Sequence, residues 1–119
     1  MANEQILASA LERKTALEAE LDRILPIIIS NYQPDKIILF GSLATGDVHE
    51  WSDIDLAIIK ESELNYFDRL LEFKKLLHCK LATDVFIYRP HEFANRIAEN
   101  HYFMVDEILG KGKVIYERD

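Results

Sequence analysis

Three aspartates are the residues whose type and spacing suggest chemistry. Asp53 and Asp55 lie two positions apart, and Asp84 follows further along the chain. On a β-strand, residues i and i+2 project from the same face, and neighbouring carboxylates repel each other unless a cation lies between them. Mg²⁺ prefers oxygen ligands and commonly combines one or two carboxylates with substrate phosphates. The spacing therefore predicts a divalent-metal site.

The segment before these aspartates is typical of a phosphate-binding turn. Gly41 and Ser42 directly follow the apolar run 37–40, and Gly46 comes soon after. A glycine after a buried strand allows a sharp turn and a close approach of the backbone to a ligand. If Ser42 begins a helical turn, its hydroxyl and the neighbouring N–H groups can hold phosphate oxygens. Gly41 and Ser42 are predicted to bind phosphate oxygens.

Alternating helices and strands must position these residues. Hydrophobic periodicity predicts a helical segment over residues 4–32, interrupted near Pro26, and an amphipathic helix between Tyr66 and Leu77. Short apolar runs predict strands at 37–40, 54–59, 85–88 and 114–116, with further helices at 92–100 and 103–109. The fold class is α/β or α+β, a small sheet with helices packed on it. If the third strand neighbours the second, Asp84 lies beside the carboxylate pair.

Composition limits the classes of function. The 119 residues fit one domain, 1–119, and the formal net charge of −7 argues against a broad grip on nucleic acid or an anionic membrane. The longest apolar stretches are far too short to span a bilayer. Cys79 is the single cysteine, and the amino-terminal residues lack the pattern of a signal peptide. These features predict a cytoplasmic location.

Each of these signals is weak by itself. With 21 acidic residues in 119, an Asp-x-Asp pair arises readily by chance. Gly-Ser after a strand is an ordinary turn, and Asp84 alone could simply cap a strand. Trp51 could stack on a base, but filling the loop or contacting a partner is the favoured interpretation. The specific signal is the combination of a strand, Gly-Ser, a second glycine, Ser-Asp-x-Asp and a later aspartate.

That combination resembles the nucleotidyltransferase superfamily, and it is most similar to the minimal, single-domain nucleotidyltransferases paired with HEPN-domain toxins. The matching residues are Gly41-Ser42, Gly46 and Ser52-Asp53-Ile54-Asp55-Leu56. The ending Gly112-Lys113-Val114-Ile115-Tyr116-Glu117-Arg118 is also similar to that branch. The resemblance extends over nearly the whole chain, although only the segment 41–55 is highly specific.

The resemblance implies a nucleotidyltransferase fold with a small mixed sheet. It implies that Asp53, Asp55 and Asp84 bind two Mg²⁺ ions, that Asp84 is also the general base, and that Gly41 and Ser42 hold the β,γ-phosphates of ATP. A hydroxyl would attack the α-phosphorus and pyrophosphate would leave, a reaction of the EC 2.7.7 class. Relatives often carry a basic residue between Gly-Ser and the next glycine, whereas this chain has Leu43, Ala44 and Thr45.

Three functions follow, in order of preference. The first is a protein adenylyltransferase that adds AMP to a tyrosine of a HEPN ribonuclease toxin and thereby acts as its antitoxin, since the chain offers little room for an acceptor domain. The second is a weakly active or inactive antitoxin that neutralises its partner by binding. The third is a nucleotidyltransferase for a small molecule such as an aminoglycoside. The sequence is compatible with a homo-oligomer or a hetero-oligomer.

Overall fold

A computed structural model describes residues 2–119, and side chains throughout that range except at residues 2–4, 6 and 7. Four strands form one sheet, with helices on both faces. The strands are β1 (Lys36–Phe40), β2 (Ile54–Ile59), β3 (Thr83–Tyr88) and β4 (Lys113–Glu117). The helices are α1 (Ala2–Ile27), α2 (Ser42–Thr45), α3 (Tyr66–Leu76) and α4 (Pro90–Ala98), with π-helical segments Ile28–Tyr32 and Phe103–Gly110.

The sheet is mixed, and its strands are arranged in the order β3-β2-β1-β4. β1 pairs antiparallel with β2 and with β4, whereas β2 and β3 run parallel. α3 lies in the connection between the two parallel strands, as a parallel pair requires a crossover. The predicted class, a small mixed sheet with helices packed on it, is confirmed.

The structure revises two predicted helices. The α-helical pattern of the first segment ends at Ile27, one residue after Pro26, and continues as a π-helix to Tyr32. The helix predicted over 92–100 begins earlier, at Pro90, because the missing N–H of proline is tolerated in the first helical turn. The π-helical stretch has only 5 residues, too few for sequence periodicity to distinguish it from an α-helix.

Alternating side chains of β1 supply two hydrophobic cores, one on each face of the sheet. Ile37 and Leu39 belong to the first core, together with Leu17 and Ile24 of α1 and Phe73 of α3. The second core is smaller and contains the following residues: Ile38, Phe40, Ala57, Ile59, Tyr88, Met104 and Ile108. The long amino-terminal helix therefore covers the face opposite the second core.

Buried Glu20 ties α1 to the segment that leads into β3. Arg23 Nε donates to Glu20 Oε1 at 2.7 Å, and the amides of Lys80 and Leu81 donate to Glu20 Oε2. The hydrogen bond from Arg23 lowers the pKa of Glu20 to about 2, against the opposing effect of burial and with help from the two amides. This charged contact fixes the chain three residues before Asp84.

None of the helices in the described part of the chain is both long enough and apolar enough to cross a membrane.

Candidate active site

The two parallel strands bring Asp55 and Asp84 together. In the register of β2 with β3, Asp55 lies directly opposite Asp84. Both residues belong to the sheet face of the second core, since Ala57 and Phe86 follow them by two positions and pack there. The expectation that Asp84 lies beside Asp55 if the strands are neighbours is therefore met.

Gly41 packs against the Asp55 carboxylate from the end of β1. Phe40 pairs with Asp55 across the antiparallel ladder, and Gly41 follows with φ of +74° and ψ of −161°. A Cβ atom built on Gly41 would lie 2.1 Å from Asp55 Oδ2. A larger residue would occupy the position of that carboxylate oxygen, so this position requires glycine for its space as well as its backbone angles.

The carboxylate cluster is electrostatically unfavourable by itself. Burial, and then the negative charges of Asp84 and Asp53, raise the pKa of Asp55 to about 6. The Asp84 side chain also hydrogen-bonds to Asp55 in a way that favours its protonated form. A cation placed among these oxygens would relieve the repulsion.

Asp53 lies immediately before β2 and is oriented partly by α1. Arg13 Nη2 approaches Asp53 Oδ1 at 4.0 Å, and Arg13 Nε donates to the carbonyl oxygen of Ser52 at 2.8 Å. The Asp53 side chain is 39% exposed, so the ion pair is partly screened by solvent. Sequence reasoning missed Arg13, because a charged residue on a helix ordinarily faces solvent. Arg13 and Ser52 are 39 positions apart, so no local pattern indicates the contact.

The Gly-Ser segment forms a short helical turn, which the phosphate-binding prediction requires. Ser42 begins α2, whose first turn is closed by hydrogen bonds from Ala44 N and Thr45 N to Gly41 O. Gly46 ends this turn in a left-handed conformation, with φ of +91°. Ser42, the first residue of this turn, therefore directly follows the glycine that packs against Asp55.

Ser52 holds the loop that leads into β2. Its buried hydroxyl accepts a hydrogen bond from His49 N at 2.9 Å, and its own N–H donates to His49 O at 3.0 Å. These two hydrogen bonds tie Ser52 to His49 and fix the shape of the loop. Trp51 beside it is 77% exposed, which rules out the interpretation that it fills the loop.

The donor set fits a divalent metal in its chemistry, although it is not a closed cage. Asp55 and Asp84 are side by side, while Asp53 is turned toward Arg13. Among the side chains that the structure describes, no three are already gathered in the arrangement of a complete metal centre. That openness is compatible with Mg²⁺, which takes few protein carboxylates and completes its shell with water and phosphate oxygens.

Comparisons with known proteins identify the family of this chain. The family model described as "Polymerase beta, Nucleotidyltransferase" matches residues 22–119. A Methanocaldococcus jannaschii protein named "Putative protein adenylyltransferase" is 33% identical over 81 residues, which cover 68% of this chain and 77% of that protein.

Two solved structures resemble the fold. A structure described as a "putative nucleotidyltransferase" from Sulfolobus solfataricus has a TM-score of 0.66 and 20% identity, covering 92% of this chain and 88% of the other. A toxin-antitoxin structure with AMP-PNP has a TM-score of 0.49 and 20% identity, covering 82% and 73%. The first likeness supports the fold alone, and the second is too distant to indicate a ligand or partner.

Proposed function

The chain belongs to the Polymerase beta, nucleotidyltransferase family, and we propose that it transfers AMP from ATP to a hydroxyl group of a protein. The main observation behind the proposal is that the end of β1 and the starts of β2 and β3 lie next to one another. Asp55 of β2 faces Asp84 of β3 and touches the backbone of Gly41 after β1. Carboxylates and a phosphate-binding turn are thereby adjacent, which is the arrangement that nucleotidyl transfer requires.

The residues at this end of the sheet are proposed to bind phosphate, bind metal and accept a proton. We assign the β,γ-phosphates to Gly41 and Ser42, and metal binding to Asp53, Asp55 and Asp84. Two Mg²⁺ ions would supply the positive charge that offsets the negative charge of the triphosphate. Asp84 accepts the proton of the attacking hydroxyl. The hydroxyl oxygen forms a bond to the α-phosphorus, and the bond from that phosphorus to the bridging oxygen breaks as pyrophosphate leaves with the electron pair.

For the acceptor we propose a tyrosine of a HEPN-domain toxin, which would make this chain the antitoxin. The support is the resemblance of segment 41–55 to nucleotidyltransferases paired with such toxins, together with a relative named as a protein adenylyltransferase. Adding AMP to a tyrosine introduces a negative charge and a bulky group, and either can block a nuclease site.

The test begins with nucleotide binding. Calorimetry with ATP, with and without Mg²⁺, should show metal-dependent binding by the wild type that is lost in Asp53→Ala/Asp55→Ala. Asp47→Ala is the matched control, since Asp47 is an exposed acidic residue of the same loop. Incorporation of labelled AMP into a co-expressed toxin should follow the same pattern. A folded wild type that binds no ATP in the presence of Mg²⁺ and that toxin would overturn the proposal.

One observation favours a second candidate, an antitoxin that neutralises its partner by binding alone. Segment 43–45 carries no basic residue beside the phosphate-binding turn, which removes a charge-assisted contact to the triphosphate. Under this alternative, Asp53→Ala should protect cells from the toxin as well as the wild type does. Loss of protection in a folded Asp53→Ala protein would eliminate it.

A further inference from the structure

The outer edge of β3 is covered at one end and open at the other. β3 is a terminal strand of the sheet, so one side of its backbone has no strand partner. Near its carboxyl end, the guanidinium of buried Arg69 donates from Nη1 to the carbonyl oxygen of Ile87 at 2.9 Å. The same group pairs with Glu92 of α4 at 2.8 Å. Proteins commonly protect edge strands in this way, because free peptide groups attract other strands.

The uncovered part of the edge lies beside Asp84. Ala82 O accepts a hydrogen bond from Ile54 N of β2 at 3.1 Å, and Tyr88 O accepts one from Lys60 N, directly after β2, at 2.9 Å. Because peptide groups alternate in direction along a strand, the N–H and C=O groups of Thr83 and Val85 point outward. Among the backbone groups and side chains that the structure describes, no hydrogen bond from another element reaches those outward groups. Two residues of exposed ladder therefore flank the proposed catalytic base.

An apolar cavity opens on the other face of the same edge. Its volume is about 430 Å³, and Leu70, Phe73 and Val85 supply apolar walls between α3 and β3. Lys74 and His78 also line it, although the chain as a whole has a net charge of −7. Asp84 borders the cavity but belongs by its register to the opposite face. An occupant with acidic and apolar groups fits this cavity in charge and chemistry.

The direction of the reaction points to the same edge. In-line displacement places the entering oxygen and the leaving pyrophosphate on opposite sides of the phosphorus. Since the proposed pyrophosphate site is at Gly41, directly after the last residue of β1, the entering hydroxyl comes from the β3 side of the site. The strand order β3-β2-β1 makes that side the free edge.

We propose that the open edge of β3 at Thr83–Val85 docks an extended, acidic segment of the protein acceptor as an added strand. Successive side chains of a strand point to opposite faces. One apolar residue of the segment therefore enters the cavity by Val85, while its neighbour carries the hydroxyl to Asp84. Main-chain hydrogen bonds supply affinity and the cavity supplies specificity, as in other strand-addition complexes. The inference deepens the proposed function and rests on it for the identity of the bound segment as acceptor.

The experiment uses the full chain labelled with ¹⁵N and the peptide acetyl-EEVYVEE-amide, without nucleotide. Titration should shift the amide resonances of Thr83 and Val85 and slow their hydrogen exchange. The affinity of peptides that carry one N-methyl group should alternate with the position of that group. It should be about tenfold weaker at every second position and change less than about twofold at the positions between them. That alternation is the signature of strand pairing, because only alternate amides face the edge.

Two protein variants isolate the backbone contact. Val85→Pro removes the outward N–H without losing a bond to the second strand, whereas Val85→Ala keeps that N–H and shortens the side chain. Val85→Pro should bind the peptide about tenfold more weakly than Val85→Ala does. If Val85→Pro does not fold, the N-methylated series decides alone.

Several results would overturn the inference. These are uniform effects along the N-methylated series, peptide-induced shifts confined to the face of the second core, and occupation of the edge by a second copy of this chain. Sedimentation of the free protein detects the last of these. Failure of the proposed function is recognised separately, as absent ATP binding in calorimetry, and does not alter the peptide titration.

Discussion

Substituting alanine at Gly41 is the sharpest test of the site, because Gly46 provides a matched control in the same segment. Both glycines have positive φ, +74° and +91°. The Cβ of Gly41→Ala would lie 2.1 Å from Asp55 Oδ2 and 3.0 Å from its Cγ. The Cβ of Gly46→Ala would meet nothing within 4 Å. The comparison therefore separates backbone strain from displacement of the carboxylate.

The expected costs follow from these two contributions. A side chain held in such a backbone conformation costs about 1–3 kcal/mol, of which about 0.4–1 kcal/mol is offset because alanine restricts the unfolded chain. Gly46→Ala should therefore lower the free energy of unfolding by about 0.5–2 kcal/mol. Gly41→Ala must also displace the Asp55 carboxylate, which adds about 1–3 kcal/mol. Each kcal/mol corresponds to about 3–6 °C in Tm for a domain of this size.

Thermal unfolding followed by circular dichroism gives the stability of both variants, and calorimetry well below Tm gives their binding of ATP with Mg²⁺. Gly41→Ala should lose binding even where it is fully folded, whereas Gly46→Ala should retain most of it. Equal stabilities together with equal ATP binding would refute the inferred contact between Gly41 and Asp55.

Three further predictions concern the contacts that hold the site in place. Arg13→Ala should lower the free energy of unfolding by about 1–2 kcal/mol, because it removes the donor to the Ser52 carbonyl and a screened ion pair; an unchanged urea midpoint would contradict this. For Glu20, whose folded pKa of about 2 lies below the unfolded value of 4.5, the stabilisation is complete above about pH 5 and is lost as the pH falls toward 2. In Glu20→Gln, the loss of unfolding free energy between about pH 5 and pH 2 should be smaller than in the wild type by about 1–2 kcal/mol, a reduced figure because solvent screens the partner of Glu20. If urea titrations of this variant show the same loss at low pH as the wild type, the contact does not contribute as inferred. Arg69→Met should cost about 3–5 kcal/mol in chemical denaturation, since it removes the ion-pair partner of Glu92 and the donor to the carbonyl oxygens of Leu64 and Ile87. Arg69→Met/Glu92→Gln should recover part of that loss; no recovery would argue that the ion pair is not the cause.

Local sequence patterns were sufficient for the elements and for the site segment. A strand is a short apolar run, and residues 37–40 and 54–59 read as such without reference to the rest of the chain. The Gly-Ser pair after the first of these runs predicted a turn, and the structure has a short helix beginning at Ser42. Patterns of this kind are readable because backbone geometry depends mainly on near neighbours.

The same patterns were less informative about helix type and boundaries. The π-helical segments have 5 and 8 residues, too few for their apolar spacing to be distinguished from that of an α-helix. Arg69 occupies a buried position of α3 and is only 2% exposed, although a charged residue ordinarily marks the solvent face. Its burial depends on acceptors supplied by Leu64, Ile87 and Glu92.

The sequence by itself determined which groups are available for chemistry: the Asp-x-Asp pair, the glycine that must approach it, and a third aspartate at the start of a strand. The tertiary structure alone decided that β3 lies parallel to β2 and puts Asp84 opposite Asp55. It also brought Arg13 to the loop and left one end of the β3 edge open. The physical reason is distance along the chain, because contacts between remote segments depend on how whole elements pack and leave no local pattern.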